Sequence, residues 1–255
     1  MKFNNRNVWI DPSAKMGTGV RIGDNSVIYA NVEIGDGTVI ANDCVIGEPS
    51  GDYYENPDYK QELTRIGHNG LIRSHSIIYA GCVIGDQFQT GHRVCVRERT
   101  KIGHDCRIGT VCDLQNDVSI GNNTWLHSGN FVAQGTNLRD FVIVYPHCVF
   151  LDDKYPPSEK LHAASVGDYA QIGARSIIMP GVSIDLHVLV ASGSTVVTDA
   201  DKYDFVRGAP ARRVSDVRKI TLPNGERAYP WPHRFDRGMP WSEIGYDQWL
   251  NQQEP

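Results

Sequence analysis

The sequence predicts an all-β fold in which the chain winds as a parallel β-helix of hexapeptide repeats. Branched apolar residues recur at every sixth position over most of the 255 residues. Glycine often follows the apolar residue, where a tight corner leaves no room for a side chain, and small residues fill the position four places after it. An amphipathic helix would need spacings of three and four, and a hairpin would need alternation, so a strict period of six indicates a solenoid.

The repeats form three runs, at residues 10–46, 66–150 and 166–196, which together hold 28 hexapeptides. Three hexapeptides per coil make about nine coils, and at about 4.8 Å per coil the solenoid should be on the order of 45 Å long. Cys95 lies outside the small-residue position. The other five cysteines occupy it, which predicts buried fillers and neither a disulfide framework nor a zinc site: Cys44, Cys82, Cys106, Cys112 and Cys148.

The repeat is interrupted twice and then ends. Polar loops are inserted at residues 48–65 and 151–165, and insertions in a solenoid project from one face and often shape a binding site. We therefore expect a β-helix with two inserted loops over residues 1–200. Residues 201–255 contain several tryptophans and prolines and should form a short C-terminal extension that caps the last coil, with one helix near 241–250.

The composition argues against several classes of protein. A net charge of −5 is unsuited to a general nucleic-acid binder. No apolar run reaches the ~18 residues of a membrane span, and the N-terminal residues lack the apolar core of a signal peptide, so we expect a cytoplasmic protein. An anionic ligand would need a local basic patch. Arg93, Arg97, Arg99 and Lys101 form a cluster that suits a pyrophosphate, and the alternative is a solvated charged edge.

Residues 8–215 resemble the left-handed β-helix acyltransferases, through the hexapeptide period and two local motifs. The segment FVRGAPARRV (205–214) is similar to the stretch that leaves the final coil in acetyl-CoA-dependent members. The segments at 72–98 and 145–157 resemble nucleotide-sugar N-acyltransferases, particularly those that modify dTDP-3-amino-3,6-dideoxyhexoses.

This resemblance implies a left-handed, three-sided prism and a homotrimer with active sites in the clefts between neighbouring prisms. It also implies transfer of an acyl group, such as acetyl, from an acyl-CoA to the amino group of a dTDP- or UDP-linked sugar in surface polysaccharide (O-antigen) biosynthesis, without a metal. Such a reaction needs few catalytic groups. A sugar amine is less basic than lysine, whose pKa is about 10.4, and is partly neutral near pH 7.

The resemblance also implies the catalytic residues. In the sugar enzymes, a carboxylate or amide on one coil and an Asn-Asp pair one coil later contact the amino sugar. Asp152 and Asp153 match the pair, and Gln134 lies 18 residues before Asp152. The chain has Gln134 and Asp152 where relatives commonly have Glu and Asn, so the resemblance does not fix which acceptor is used. The expected catalytic residues are Asp153, Asp152 and Gln134, together with His127, which falls on a coil that adjoins theirs.

The binding residues are assigned in the same way. The sugar site, expected within residues 73–153, is assigned to His92, Arg73, Arg97, Glu98 and Tyr79. The CoA groove is expected within residues 170–213. The resemblance implies that the three arginines of the FVRGAPARRV segment meet CoA phosphates. The groove is assigned to Gly173, Ala191, Ser192, Arg207, Arg212 and Arg213.

Three alternatives stay open at this point. A hydroxyl acceptor would require a general base, for which His127 and His92 are the best placed, and would make the protein a sugar or glycan O-acetyltransferase. A scaffold solenoid would lack CoA binding. A zinc hydratase of the same solenoid architecture would need three histidines; His68 and His104 are 36 residues apart and share one column, but the expected third position is Gly109, which argues against a metal site.

Overall fold

The computed structural model describes residues 3–229 and 241–253, and each of the 28 predicted hexapeptides forms a short β-strand that contains its repeat residue, which is apolar everywhere except at Thr90. Two further strands, two 3₁₀ turns and one α-helix complete the described elements. The strands are β1 (Trp9–Ile10), β2 (Lys15–Met16), β3 (Arg21–Ile22), β4 (Val27–Ile28), β5 (Val32–Ile34), β6 (Val39–Ile40), β7 (Val45–Glu48), β8 (Thr64–Ile66), β9 (Leu71–Ile72), β10 (Ile77–Tyr79), β11 (Val83–Ile84), β12 (Gln89–Thr90), β13 (Cys95–Val96), β14 (Lys101–Ile102), β15 (Arg107–Ile108), β16 (Asp113–Leu114), β17 (Ser119–Ile120), β18 (Trp125–Leu126), β19 (Phe131–Val132), β20 (Asn137–Leu138), β21 (Ile143–Val144), β22 (Val149–Phe150), β23 (Ser165–Val166), β24 (Gln171–Ile172), β25 (Ile177–Ile178), β26 (Ser183–Ile184), β27 (Leu189–Val190), β28 (Thr195–Val196), β29 (Asp204–Gly208) and β30 (Ala211–Asp216). The 3₁₀ turns are Gly51–Tyr54 and Val217–Lys219, and the helix is α1 (Tyr246–Gln253).

Three parallel sheets form the sides of the prism. Sheet A runs from β1 through every third strand to β28, sheet B runs from β2 to β26 in the same way, and sheet C runs from β3 to β27 and continues into β29 and β30. Each strand pairs in parallel with the strand one coil later, so that Arg107 lies beside Trp125 and Trp125 beside Ile143. The chain turns at three corners per coil, which we call the A–B, B–C and C–A corners after the sheets that they join.

The predicted parallel β-helix is confirmed, and its stack is slightly longer than the nine coils expected. Sheets A, B and C hold ten, nine and eleven strands among the described residues. The difference arises on sheet C. After the last hexapeptide, β29 pairs in parallel with β27, and β30 returns antiparallel to β29. This hairpin places the FVRGAPARRV segment on the end of sheet C.

The core is a column of apolar side chains that point inward from all three sheets. Leu126 and Phe150 are fully buried, and a side chain of this size stabilises the fold by about 1.5–3 kcal/mol when it leaves water. The five cysteines of the small-residue position are buried as predicted, and Cys95 is half-buried. Burial raises the pKa of Cys44 and Cys148 to about 11, so both stay thiols and act as fillers.

A ladder of side-chain acceptors closes the B–C corner. At the second position after a strand of sheet B, the backbone N–H donates to the side chain at the same position of the next coil. The N–H of Asp86 donates to Nδ1 of His104 at 3.0 Å, and the N–H of His104 donates to Oδ1 of Asn122 at 2.9 Å. These bonds satisfy turn N–H groups that no strand pairs. The acceptors of this ladder are Asp36, His68, Asp86, His104, Asn122, Asp140 and Asp168.

Both inserted loops leave the prism at the A–B corner. The first joins β7 to β8, and the second joins β22 to β23. Tyr53 of the first loop folds back on sheet A, with its ring 6.5 Å from that of Tyr29, and Gln61 holds the loop by donating to the Gly47 carbonyl oxygen at 2.5 Å. The two loops thus project from the same edge of the molecule, and four coils of the prism lie between them.

A stack of aromatic rings on the B–C corner packs against part of the C-terminal segment. Phe141, Tyr169, His187 and Tyr203 lie face to face at centroid distances of 5.0, 4.8 and 5.3 Å. Trp241, which is buried, packs on Tyr169 at 5.2 Å. Helix α1 follows at 246–253, later than the expected 241–250, because residues 241–244 form turns. No helix among the described residues is long and apolar enough to cross a membrane.

The buried His187 makes the stability of this region depend on pH. Desolvation first, and the charge of Lys202 second, lower its pKa from 6.5 to about 3. A base whose folded pKa is depressed contributes stability fully above the unfolded pKa, and loses it as the pH falls from about 6.5 towards 3. We expect the free energy of unfolding to decrease over this window by up to about 1.4 kcal/mol per pH unit from this one group.

This pH dependence is measured by urea unfolding of the wild type and of His187→Phe at pH 7.5, 5.5 and 4.5. The phenylalanine keeps the ring stack and has no titrating group, so the stability of the variant should fall less steeply than that of the wild type. Parallel slopes in the two proteins would contradict the assignment to His187.

Candidate active site

The predicted site residues lie on two separate tracks of the prism. The first track, which we call the corner track, follows the A–B corner between the two loops and holds Tyr79, Arg97, Glu98, Gln134, Asp152 and Asp153. The second, which we call the sheet C track, follows the edge of sheet C at the C–A corner and holds Arg73, His92, His127, Gly173, Ala191 and Ser192. Sheet A separates the two tracks.

The first half of the corner track is an ion-paired cluster. Nε and Nη2 of Arg97 donate to the two carboxylate oxygens of Glu98, each at 2.8 Å, and the guanidinium lies 4.8 Å from the ring centroid of Tyr79. Burial alone would raise the pKa of Glu98, but the hydrogen bonds from Arg97 and the backbone, with the charge of Arg97, lower it. The structure therefore brings Tyr79, Arg97 and Glu98 together, as a unit in which the arginine charge is neutralised.

The basic cluster expected at residues 93–101 does not form one patch. Arg99 donates from Nε and Nη2 to the two carboxylate oxygens of Asp117 at 2.8 and 3.0 Å, so its charge is neutralised as well. Lys101 begins β14 on sheet B, and Arg93 is exposed at the C–A corner. Arg93 and Arg97 lie at the two opposite edges of sheet A and Lys101 lies on sheet B, which is why adjacency in sequence did not produce a shared phosphate site.

Asp153 anchors its own loop. One carboxylate oxygen accepts from the N–H of Tyr155 at 2.9 Å and the hydroxyl of Ser158 at 2.7 Å, and the other accepts from the N–H of Ser158 at 2.6 Å. These hydrogen bonds, above all the one from the Ser158 hydroxyl, lower the pKa of Asp153. Asp152 is half-exposed on the corner, and its carbonyl oxygen accepts from the His162 N–H at 2.6 Å. The carboxylate of Asp153 is thus held by its own loop.

His127 is the centre of the sheet C track. Its imidazole lies between the ring of Trp125, at a centroid distance of 4.4 Å, and the ring of Tyr145, at 5.1 Å, with both neighbours nearly parallel to it. Burial between these rings lowers the pKa of His127 below its ordinary value of 6.5. The imidazole is therefore unprotonated near neutral pH, which is the state that a general base requires.

A strip without side chains precedes His127 on this track. Gly91 and Gly109 occupy the equivalent position of the two preceding coils, and Arg73 occupies it one coil earlier. A Cβ at Gly109 would lie 2.4 Å from the carbonyl carbon of His127, so the close approach of the coils requires glycine. The strip is about 10 Å long at two inter-strand spacings. His92 is exposed at its edge, where its N–H donates to the Thr110 hydroxyl at 3.2 Å.

The far end of the sheet C track reaches the residues expected to bind CoA. Gly173, Ala191 and Ser192 continue the track beyond Tyr145, and the β29–β30 hairpin extends the same sheet. Arg207 and Arg212 are paired across this hairpin and are exposed. Arg213 instead forms an ion pair with Asp204. Two of the three predicted phosphate-binding arginines therefore project from the hairpin, and the third is held by a carboxylate.

His68 and His104 have a structural role. They lie in one column of the B–C corner, as the spacing predicts, where their Nδ1 atoms accept from the N–H groups of Asp36 and Asp86 at 2.9 and 3.0 Å. No cluster of three or more metal-ligating side chains occurs within residues 3–229 and 241–253.

Two grooves of about 730 and 490 Å³ lie along sheet B. They are lined by residues such as Gly35, Gly67, Gly121 and Leu138, and none of the predicted catalytic or binding residues is among them. The predicted site residues thus lie outside both grooves.

Sequence reasoning did not single out Arg107, Trp125 or Tyr145. Trp125 and Tyr145 set the environment of His127, and Arg107 lies over the indole of Trp125 at 5.4 Å. The signal was present in the repeat, because residues 18 apart are neighbours on one side of the prism. Arg107 and Trp125 have that spacing, as do His127 and Tyr145.

Comparison with known proteins finds one matching family description and several curated relatives. Residues 5–36 and 14–48 match the family described as bacterial transferase hexapeptide (six repeats). The bifunctional protein GlmU of Latilactobacillus sakei is 29% identical over 191 residues, which cover 74% of this chain and 38% of the relative. GlmU of Clostridium beijerinckii is 26% identical over 221 residues, which cover 84% of this chain and 44% of the relative. The chain thus spans less than half the length of these curated relatives.

Among solved structures, an Arabidopsis UDP-N-acetylglucosamine acyltransferase superposes with a TM-score of 0.60 at 16% identity, covering 84% of this chain and 74% of that one. At this identity the likeness is one of fold. It agrees with the parallel β-helix derived from the repeat.

Proposed function

We propose that the chain is an acyltransferase that moves an acyl group, such as acetyl, from an acyl-CoA to the amino group of a nucleotide-linked sugar. The observation that supports it most strongly is the sheet C track. An unprotonated His127 lies in line with Gly173, Ala191 and Ser192 and with a hairpin from which Arg207 and Arg212 project. A long donor laid along this edge would have its phosphates at the hairpin and its thioester near the histidine.

The acceptor would be oriented by the corner track. Gln134 and Asp152 lie one coil apart at the A–B corner, where an amide and a carboxylate can accept hydrogen bonds from a sugar amine. Within one chain, sheet A separates these groups from His127. A neighbouring copy that packs against sheet A could join the corner track of one prism to the sheet C track of the next. We therefore propose a homotrimer with its sites between prisms.

The chemistry then needs one base and one oxyanion donor. The amine nitrogen attacks the thioester carbonyl carbon, and a backbone N–H of the coil stabilises the oxyanion. His127 accepts the proton that the nitrogen loses as the new C–N bond forms. The C–S bond breaks, and the CoA thiolate leaves and is protonated by His127, which returns to its starting state. No metal enters this scheme.

A hydroxyl acceptor is the second candidate, and the environment of His127 supports it. A sugar hydroxyl is far less acidic than an ammonium group, so its attack depends on a base that is unprotonated and fixed in orientation. Trp125 and Tyr145 hold the imidazole in this way. The same residues would then catalyse O-acylation.

The first test is a thiol-release assay with acetyl-CoA and a panel of dTDP- and UDP-linked 3-amino, 4-amino and non-amino sugars. UDP sugars belong in the panel because the Arabidopsis protein of similar fold is named for UDP-N-acetylglucosamine. Turnover confined to amino sugars supports N-acylation, and turnover of the non-amino sugars supports the second candidate. The absence of CoA binding in calorimetry would overturn both.

The hairpin arginines give a prediction with a built-in control. Arg212→Ala should raise KM for acetyl-CoA by about tenfold with little change in kcat, since a charge-assisted hydrogen bond contributes roughly 1.5–3 kcal/mol. Arg213→Ala should instead lower the melting temperature, because it leaves the carboxylate of Asp204, which is itself buried, without its partner. Equal effects of the two substitutions on KM would contradict the separate roles.

A further inference from the structure

Arg107 carries a charge that no carboxylate of the described chain neutralises. Arg97, Arg99, Arg213 and Arg218 each form an ion pair. Arg107 forms none within residues 3–229 and 241–253, and its guanidinium rests instead on the face of Trp125 at 5.4 Å.

The Nε–H of Arg107 is also without an acceptor. This nitrogen is buried, and no oxygen or nitrogen of the described residues accepts its hydrogen bond. A buried donor left unsatisfied destabilises a fold, and does so more strongly when the group is charged. Such donors are uncommon in folded proteins, and strain, a catalytic role, a water molecule or an ion accounts for them.

A surface without side chains lies next to Arg107. Arg107 lies beside Gln89 of the preceding coil, and the glycine strip of Gly91 and Gly109 runs alongside. Arg73, at the far end of the strip, forms no ion pair with a described residue. Two arginines thus flank a surface that carries no side chain and ends at His127. A planar guanidinium presents its N–H groups as a fork, which matches the oxygens of a phosphate.

We propose that Arg107 is a phosphate-binding residue of the sheet C track, and that a phosphate group on the glycine strip accepts hydrogen bonds from its guanidinium group. This inference rests on the proposed function, because it names the part of a substrate that lies next to His127. Phosphate could come from the acceptor, as the diphosphate of a nucleotide sugar, which agrees with a donor whose phosphates lie at the hairpin. It could also be a phosphate of CoA, in which case the donor would run along the track in the direction opposite to the one proposed above. Trp125 fixes the guanidinium in the required orientation.

Calorimetric titration of the protein with UDP, dTDP and CoA separates these sources. Arg107→Gln should weaken the binding of either the nucleoside diphosphates or CoA by tenfold or more, and the affected ligand identifies the source. Arg107→Lys keeps the charge and loses the fork, so it should recover a part of the affinity. Arg21→Gln is the matched control, since Arg21 lies on the same sheet four coils away with its guanidinium 5.4 Å from the ring of Phe3. It should bind all three ligands as the wild type does.

Equal affinities of Arg107→Gln and the wild type for all three ligands would overturn the inference, and so would an equal loss in Arg21→Gln. If Arg107→Gln melts at a lower temperature than the wild type, the ligand affinities of Arg107→Lys are compared with those of the wild type instead. The proposed function is judged separately by thiol release in the wild type. If the wild type transfers acyl groups and Arg107→Gln binds all ligands as the wild type does, the acyltransferase proposal stands and the role of Arg107 is rejected. If the wild type neither transfers acyl groups nor binds the ligands, both proposals are rejected.

Discussion

His127→Gln is expected to lower kcat by about 10²–10⁴-fold, the range in which a positioned general base contributes. The amide keeps a similar size and hydrogen-bonding shape but cannot accept the proton of the attacking nitrogen or oxygen. KM for either substrate should change little, because the ring is used during the reaction more than in binding. The measurement is steady-state thiol release over a range of both substrates.

The pH profile gives this prediction a second readout. Burial between Trp125 and Tyr145 lowers the pKa of His127 below 6.5, so the wild-type rate should rise with pH through an acid limb that lies below this value. The limb should be missing in His127→Gln. His147→Gln is the control, since His147 is exposed at the C–A corner, and it should keep both rate and profile. A variant at position 127 that retains a third of the wild-type rate would exclude the base role.

Phe150→Ala is expected to have the largest effect on stability, a loss of about 3–5 kcal/mol in the free energy of unfolding. The side chain is fully buried in the core and belongs to the strand that leads directly into the second loop. The flat stacking of coils gives neighbouring strands little freedom to close the cavity. Urea unfolding measures the loss.

The control for this substitution is Tyr155→Ala in the same loop. Tyr155 is 74% exposed, and its removal should change the free energy of unfolding by less than about 0.5 kcal/mol. Since Asp152 follows Phe150 by two residues, the core variant should also lose activity at temperatures well below its melting point. Similar stabilities for the two variants would show that the core is far more adaptable than its burial indicates.

The repeat made the fold predictable at the level of single residues. Each apolar position from Ile10 to Val196 became the inward residue of a strand, because a period of six allows one spacing of strands and corners. The two loops were located by the same rule, as the places where the period fails. The β29–β30 hairpin was not foreseen, since the antiparallel return after Gly208 follows no hexapeptide.

The site was predictable only in part. The spacing of 18 residues correctly placed Gln134 and Asp152 on one corner, and the resemblance grouped Tyr79 with Arg97. The grouping of His127 with Gln134 overlooked that the two residues are seven positions apart, just over one hexapeptide, so that within one chain they lie at different corners of the prism. The hydrogen bonds that tie Asp153 to its own loop also depend on a loop conformation that no period describes.

The ladder on the B–C corner has a consequence for how such proteins diverge. Each rung joins one coil to the next, so a segment inserted there would separate an acceptor from the N–H group that depends on it. Both insertions of this chain lie at the A–B corner, where they leave every rung intact. New loops could therefore be gained or exchanged at one edge during evolution, each altering what that edge recognises, while the joints between coils are inherited unchanged.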